Sequence, residues 1–211
     1  RRQRQMCIRD RNGKEYIMCA IHGIVDVKPE LMMKMVKAAH HRGPDGNGIF
    51  EDDYITLGHN LLSIVGEVKD GKQPYHYEDC ILVFNGEIYN FQDIRKKLQL
   101  EGLTSGSDTE VLVEAISKIG ITKTLTILNG MFAFAIWDKK KLCMTLARDR
   151  MGEKPLYYSI QNNSLIFASE LIDLTPKTYP HANLRIKGIS IPPTNPTVPL
   201  SEAIAAIIPT K

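Results

Sequence analysis

Four apolar segments of strand length follow one another between residues 131 and 169, separated only by turns. They are MFAFAIWD (131–138), KLCMTLARD (141–149), PLYYSI (155–160) and SLIFAS (164–169). Phe132 and Phe134 alternate with small residues and Trp137 follows, the spacing of core-facing positions on a pleated strand. Two helical segments come before this run, and more strand-like text comes before them. An order of strands, then two helices, then strands suits sheets covered by helices better than a parallel βαβ alternation. The expected class is therefore α+β.

The earlier elements read as follows. Ile21 to Val25 is a short buried strand. Pro29 opens a helix with apolar positions at Leu31, Met32, Met35, Val36 and Ala39, since Pro suits a first helical turn. HHRGPDGNG (40–48) is a turn-rich loop. Strands are expected at 54–58, 62–65 and 80–84. Asn90 caps a helix over 91–99. Ser107-Asp108-Thr109-Glu110 forms a capping box before EVLVEAISKIG, which Gly120 closes. Cys80 and Cys143 lie in apolar strand text and are expected in the core.

With 211 residues, 43% of them hydrophobic, the chain is long enough for one globular domain with a real core. A net charge of +3 gives no argument for nucleic acid. No apolar run approaches membrane-spanning length, so no membrane partner is expected. Four cysteines, at 7, 19, 80 and 143, show no metal-ligand spacing and read as reduced thiols of a cytoplasmic protein. His22, His40, His41 and His59 match no common metal site with Cys19, so no metal is expected. Residues 1–18, with five arginines in the first eleven, read as a leader, either an assembly artefact or a removed prosegment. On that reading Met18 is the start. Residues 19–174 form the domain. Residues 175–211 read as a poorly patterned, truncated or frame-shifted tail, ending in a weak helix at best.

The chemistry starts at Cys19. A thiol is a good nucleophile only beside a base or in an electropositive site. With Met18 removed, Cys19 carries its own base, an α-amino group of pKa about 7.7–8.0. That amine can take the thiol proton and return it to a leaving amine. An acyl-transfer site also needs an oxyanion hole. Asn85 offers an amide donor and Gly86 a closely approachable backbone N–H, although Asn-Gly after a strand is by itself usually a turn.

Longer strings decide between these. MCAIHGI (18–24), HRGPDGNGIF (41–50), LGHNLLSIVG (57–66), FNGEIYNF (84–91), SDTEVLVEA (107–115), NGMFAFAIWD (129–138), LARDRMGEKPLYYS (146–159) and FASE (167–170) run in one order along the chain. Together they closely resemble the glutaminase domain of glutamine-dependent asparagine synthetases, the class II, N-terminal-nucleophile amidotransferases. The resemblance implies a four-layer αββα sandwich. It implies that Cys19 attacks the glutamine side-chain amide while Asn85 and Gly86 stabilise the oxyanion. A γ-glutamyl thioester forms, releases ammonia and is hydrolysed. Asp108 binds the α-ammonium of glutamine, and Glu87 and Ile64 complete the substrate-binding set. The missing C-terminal synthetase domain is the implied partner and carries the ATP and Mg; this chain needs no cofactor. A homodimer is compatible with the resemblance.

Three departures matter. Ala20 stands where the family has glycine. Leu61 stands where the family has an arginine for the substrate α-carboxylate, a loss of roughly 2–4 kcal/mol. Arg42, Lys69 and Lys72 are the candidate replacements. Finally, no SGGxDS pyrophosphate loop occurs, so ATP chemistry lies elsewhere. Two readings stay open: an active glutaminase, or a catalytically weak docking domain of an ammonia-using synthetase. His41 and Arg42 are expected to brace the loop beside the site. ARDRMGEKPLYY is expected to be a solvated or salt-bridged turn, since its charges nearly balance.

Overall fold

Short apolar runs bounded by Gly, Pro and Asp become antiparallel strands, and the chain sorts them into two units. One comprises residues 1–74 and 156–187, the other residues 75–155 and 188–211. The computed structural model describes residues 18–62, 72–101, 103, 105–161 and 164–171, with the backbone of four two-residue strands outside those ranges.

In the first unit, β1 (Ile8–Arg9) and β2 (Glu15–Tyr16) pair with each other. Then come β3 (Ala20–Ile24), α1 (Pro29–Ala38), a 3-10 turn (Ala39–His41), β4 (Gly46–Glu51) and β5 (Thr56–Leu61). Pro29 stands in the first turn of α1, which has no side-chain cap. The Lys28 N–H instead donates to Thr56 Oγ1, which itself donates to Asp26 O, and this seats the helix start on β5. Met32, Met35 and Val36 then pack with Ile24 of β3 in one buried cluster.

The second unit is built around β6 (Tyr75–Tyr77), β7 (Cys80–Ile88), α2 (Phe91–Leu98), α3 (Asp108–Ile119), α4 (Ile121–Ile127), β8 (Gly130–Asp138) and β9 (Cys143–Arg148). The first unit resumes with β10 (Tyr157–Gln161), β11 (Ser164–Ala168) and β12 (Lys187–Gly188), and β13 (Ile208–Pro209) returns to the second. The sheet orders are β12-β10-β11-β3-β5-β4 and β13-β9-β8-β7-β6. Leu82 faces Ile136, Phe84 faces Phe134 and Gly86 faces Phe132 across β7 and β8. The large members of these pairs share a cluster with Val111, Leu112 and Ile116 of α3. Strand alternation therefore puts Val83, Asn85, Ala133 and Ala135 on the opposite face from the helices.

The structure corrects several expectations. β5 runs over 56–61 rather than the expected 54–58, and the strand expected at 62–65 falls, after Leu62, on positions from Ser63 to Gly71 that lie outside the described residues. β4 begins at Gly46, inside the expected loop, because alternate backbone groups of 46–51 pair with β5. α4 was not expected from its β-branched text ITKTLTI; burial of Thr124 and Leu125 outweighs the weak propensity. Asn90 stands at the N-cap of α2 but makes no cap bond. Its amide instead donates to Ile127 O and accepts from Asn129 N, tying the corner after β7 to the start of β8. Ser107 does cap α3, accepting from Glu110 N at 3.2 Å. The Glu110 carboxylate reaches past it to Ser105 N and Gly106 N. Cys80 and Cys143 are half-buried rather than core, because both sit at strand ends lining a cavity with Asp138, Lys141 and Ile116. In the tail, Ile208–Pro209 forms strand β13, paired to β9, and the rest of the segment expected as a weak helix lies outside the described residues.

Candidate active site

Cys19 lies just ahead of β3 in the first unit. Its Sγ is 3.3 Å from Leu62 N and 3.7 Å from Leu62 O. Arg42 Nε and Nη2 both donate to Cys19 O at 3.3 Å. Arg42 Nη1 meets Glu170 Oε1 at 2.8 Å, and His41 Nε2 lies 3.0 Å from Glu170 Oε2. The next residues are fixed as well: Ile21 N donates to Ser169 Oγ, and Ser169 N donates to Ile21 O. The bracing role expected of His41 and Arg42 is thus visible as bonds. Glu170, their shared anchor, was quoted in the sequence only as the end of FASE. An acid two residues past a strand that pairs with the nucleophile's own strand was the signal available.

Three consequences follow for the departures. Ala20 sits within β3, is fully buried and pairs with Asn60, so a methyl group is accommodated where the family has none. Leu61 is 9% exposed, an apolar side chain turned inward at the family's arginine position. Arg42 is corrected as its replacement: only 2% of it is exposed, and its guanidinium is held by Cys19 O and Glu170. Lys72 is exposed, and Lys69 and Ile64 lie outside the described residues.

Beneath the nucleophile strand, His22 Nε2 bonds Asn60 Oδ1 at 3.0 Å, and Asn60 Nδ2 donates to Val36 O. Burial pushes the imidazole down to about 4, against the opposing effect of the Asn60 bond. His22 is therefore neutral at ordinary pH.

The second unit holds the other expected residues and brings them together. Asn85 is 1% exposed, on the sheet face away from the helices. Neither its Oδ1 nor its Nδ2 finds a hydrogen-bond partner among the described residues. A buried unsatisfied amide costs about 1–3 kcal/mol, so it demands an explanation, and a ligand oxygen supplies one. Gly86 is required by close approach: a Cβ there would lie 2.2 Å from Met131 O and 2.6 Å from Phe132 Cα. Two residues on, Ile88 N donates to Asp108 Oδ2 at 3.0 Å, which docks the first turn of α3 against the end of β7. Desolvation raises the Asp108 pKa above the ordinary value, with the Glu87 charge adding to it, while bonds from Ile88 and Thr109 oppose. A largely buried carboxylate with a second carboxylate beside it forms a place suited to an ammonium group.

The ARDRMGEKPLYY turn is solvated at Met151 and Glu153, as expected, but its acid at 149 is not. Asp149 is buried and accepts from the backbone N–H of Phe132, Met151, Glu153 and Lys154. Among the described residues, no group of three or more His, Cys, Asp or Glu could hold a metal, and no helix is long and apolar enough to cross a membrane.

Comparison with known proteins adds the family. A model described as a glutamine amidotransferase domain matches residues 18–202. A putative glutamine-hydrolysing asparagine synthetase of Methanocaldococcus jannaschii is 41% identical over 178 residues, covering 73% of this chain and 34% of the relative. A glutamine-hydrolysing asparagine synthetase of Bacillus subtilis is 41% identical over 165 residues, covering 72% of this chain and 26% of the relative. The chain thus spans about a third or less of these relatives. A solved structure titled as the allosteric regulatory enzyme of purine biosynthesis aligns with a TM-score of 0.68 at 22% identity, covering 82% of this chain and 45% of that one. That likeness shows the fold, of the α+β class expected from the sequence.

Proposed function

The chain belongs to the glutamine amidotransferase domain family, and on that premise we propose that it hydrolyses the side-chain amide of glutamine to glutamate and ammonia, with Cys19 as nucleophile. The observation that carries this reading is the Asn85 amide, buried with neither polar atom partnered among the described residues.

The steps follow from the groups present. The Cys19 α-amine, once free, takes the thiol proton, and Sγ adds to the amide carbon. The oxygen that gains charge accepts from Asn85 Nδ2 and Gly86 N–H. Collapse breaks the C–N bond, and the ammonium of the nucleophile returns its proton to the departing nitrogen. Water then adds to the γ-glutamyl thioester, glutamate leaves, and the thiol is restored. Asp108, with Glu87 beside it, holds the α-ammonium of the substrate. Since the relatives are named asparagine synthetases, the ammonia is proposed to pass to activated aspartate in a cytoplasmic synthetase partner, where the ATP and Mg belong.

Leu61 favours a second reading. A buried leucine at the place of a carboxylate-binding arginine fits a domain that binds glutamine weakly and serves an ammonia-using synthetase. Covalent labelling by the chloroketone analogue of glutamine separates the two. It is run on the full chain, on a form starting at Met18 with removal of that Met verified by mass, and on the same form carrying Cys19→Ala. Labelling confined to the form with a free Cys19 supports the glutaminase. Folded, Cys19-terminated protein that resists labelling overturns it in favour of the second reading.

A further inference from the structure

We infer that Asp149 is a positioning residue for the oxyanion-binding backbone at Gly86, an inference that rests on the glutaminase reading above. The β8–β9 ladder ends at the pair Ala133 and Arg148. The next pair would be Phe132 and Asp149, and half of it forms: Asp149 N donates to Phe132 O at 2.7 Å. The other half is rerouted. The Asp149 carbonyl has turned to accept from Gly152 N at 3.0 Å. Its carboxylate takes over, accepting from Phe132 N at 3.2 Å through Oδ2. The same side chain then closes the turn, with Oδ1 on Met151 N and Glu153 N and Oδ2 also on Lys154 N. Arg148 completes it by donating to Gly152 O.

Both backbone groups of Phe132 are thus held by one residue. Phe132 is the register partner of Gly86, and the Met131–Phe132 backbone packs so closely on Gly86 that a Cβ does not fit between them. Where Phe132 goes, the Gly86 N–H goes. Hydrogen-bonding donors earn their effect only when aimed in advance at the charge that develops, and displacement of about 1 Å costs about 100-fold in rate.

The test replaces an acceptor oxygen by a donor, Asp149→Asn, in the protein processed to Cys19, with rates expressed per site titrated by the chloroketone. The expected result is a kcat about 10- to 100-fold lower, with glutamine KM within about threefold of wild type. Glutamate γ-semialdehyde, whose thiohemiacetal places an oxygen in the same hole, should lose affinity by the factor lost in kcat/KM, while inhibition by glutamate stays unchanged. Gly152→Ala deforms the same turn without touching the carboxylate, since its φ is +66° and a Cβ would lie 2.6 Å from Arg148 Nη2. It should shift kcat and aldehyde affinity together, and it decides the matter if Asp149→Asn does not fold. Fewer titratable sites with wild-type kcat and aldehyde affinity per site would mean a merely structural role and overturn the inference. If Asn85→Ala loses kcat while both turn variants keep it, the inference falls alone. If the wild type neither turns over glutamine nor labels, the glutaminase reading falls and takes the inference with it.

Discussion

Arg42 grips the carbonyl oxygen of Cys19 with two donors, Nε and Nη2, each at 3.3 Å. The residue that carries the thiol is therefore fixed through its far side, and Sγ is left to other partners. Arg42→Lys keeps the charge but cannot reproduce the two-pronged grip or the Glu170 bond together. The expected outcome is a labelling rate about tenfold lower, with glutamine KM within about threefold. Chloroketone kinetics and a steady-state KM check it. A large rise in KM at unchanged kcat would instead make Arg42 a substrate ligand.

Asn85→Ala separates function from stability. Loss of an oxyanion donor should lower kcat by about 100- to 1000-fold. The same change removes a desolvated amide that has no partner among the described residues, so the unliganded protein should not lose stability. Turnover and urea unfolding, measured on one preparation, test both halves. A loss above about 2 kcal/mol would show that the amide is paired in the folded protein.

Asp108 gives a pH signature. Its carboxyl is raised above the ordinary value of 3.8 by desolvation first, with Glu87 adding to it. Binding an ammonium needs the ionised form, so glutamine KM should rise on acidification, at a higher pH than an ordinary aspartate would give. Asp108→Asn should raise KM by about 30-fold or more. In the unliganded protein the linkage has the opposite benefit. The folded state holds this proton more tightly than the unfolded chain, so stability falls as pH rises from 3.8 through the folded value. Asp108→Asn should therefore stabilise the empty protein at neutral pH. KM–pH profiles and thermal melts read the two effects.

His22 sets a different window. Burial holds its pKa at about 4 in the folded protein, below the ordinary value of 6.5. Between those values the unfolded chain binds the extra proton. The stability that His22 contributes is full above 6.5 and is lost as pH falls toward 4, about 3 kcal/mol in all. Denaturant unfolding at a series of pH values should show that slope, and His22→Gln should flatten it.

The sequence carried the strands and α3 because their patterning and caps are local. Met131 to Ser169 alternates at the pleat period, and Ser107 caps where its spacing to Glu110 says it should. Residues 46–51 and 121–127 were misread because distant packing forms them: β4 needs β5 as a template, and α4 needs burial of Leu125. Among site residues, Cys19, Asn85 and Asp108 were legible as chemical types in known strings. Glu170 and Asp149 were not. Each acts through a backbone or guanidinium partner that sequence separation hides, and a balanced run of charges looks the same whether its acid is solvated or buried under four N–H groups.

The division of the chain has a consequence for synthesis. The second unit draws its core strands β6 to β9 from one uninterrupted stretch, so it can assemble as soon as residue 155 has left the ribosome. The first unit cannot. Its nucleophile strand pairs on one side with β5 and on the other with β11, Ile24 against Ile166. A nascent chain stalled short of β11 therefore presents β3 with an open edge, and the strand beside Cys19 is among the last to be protected.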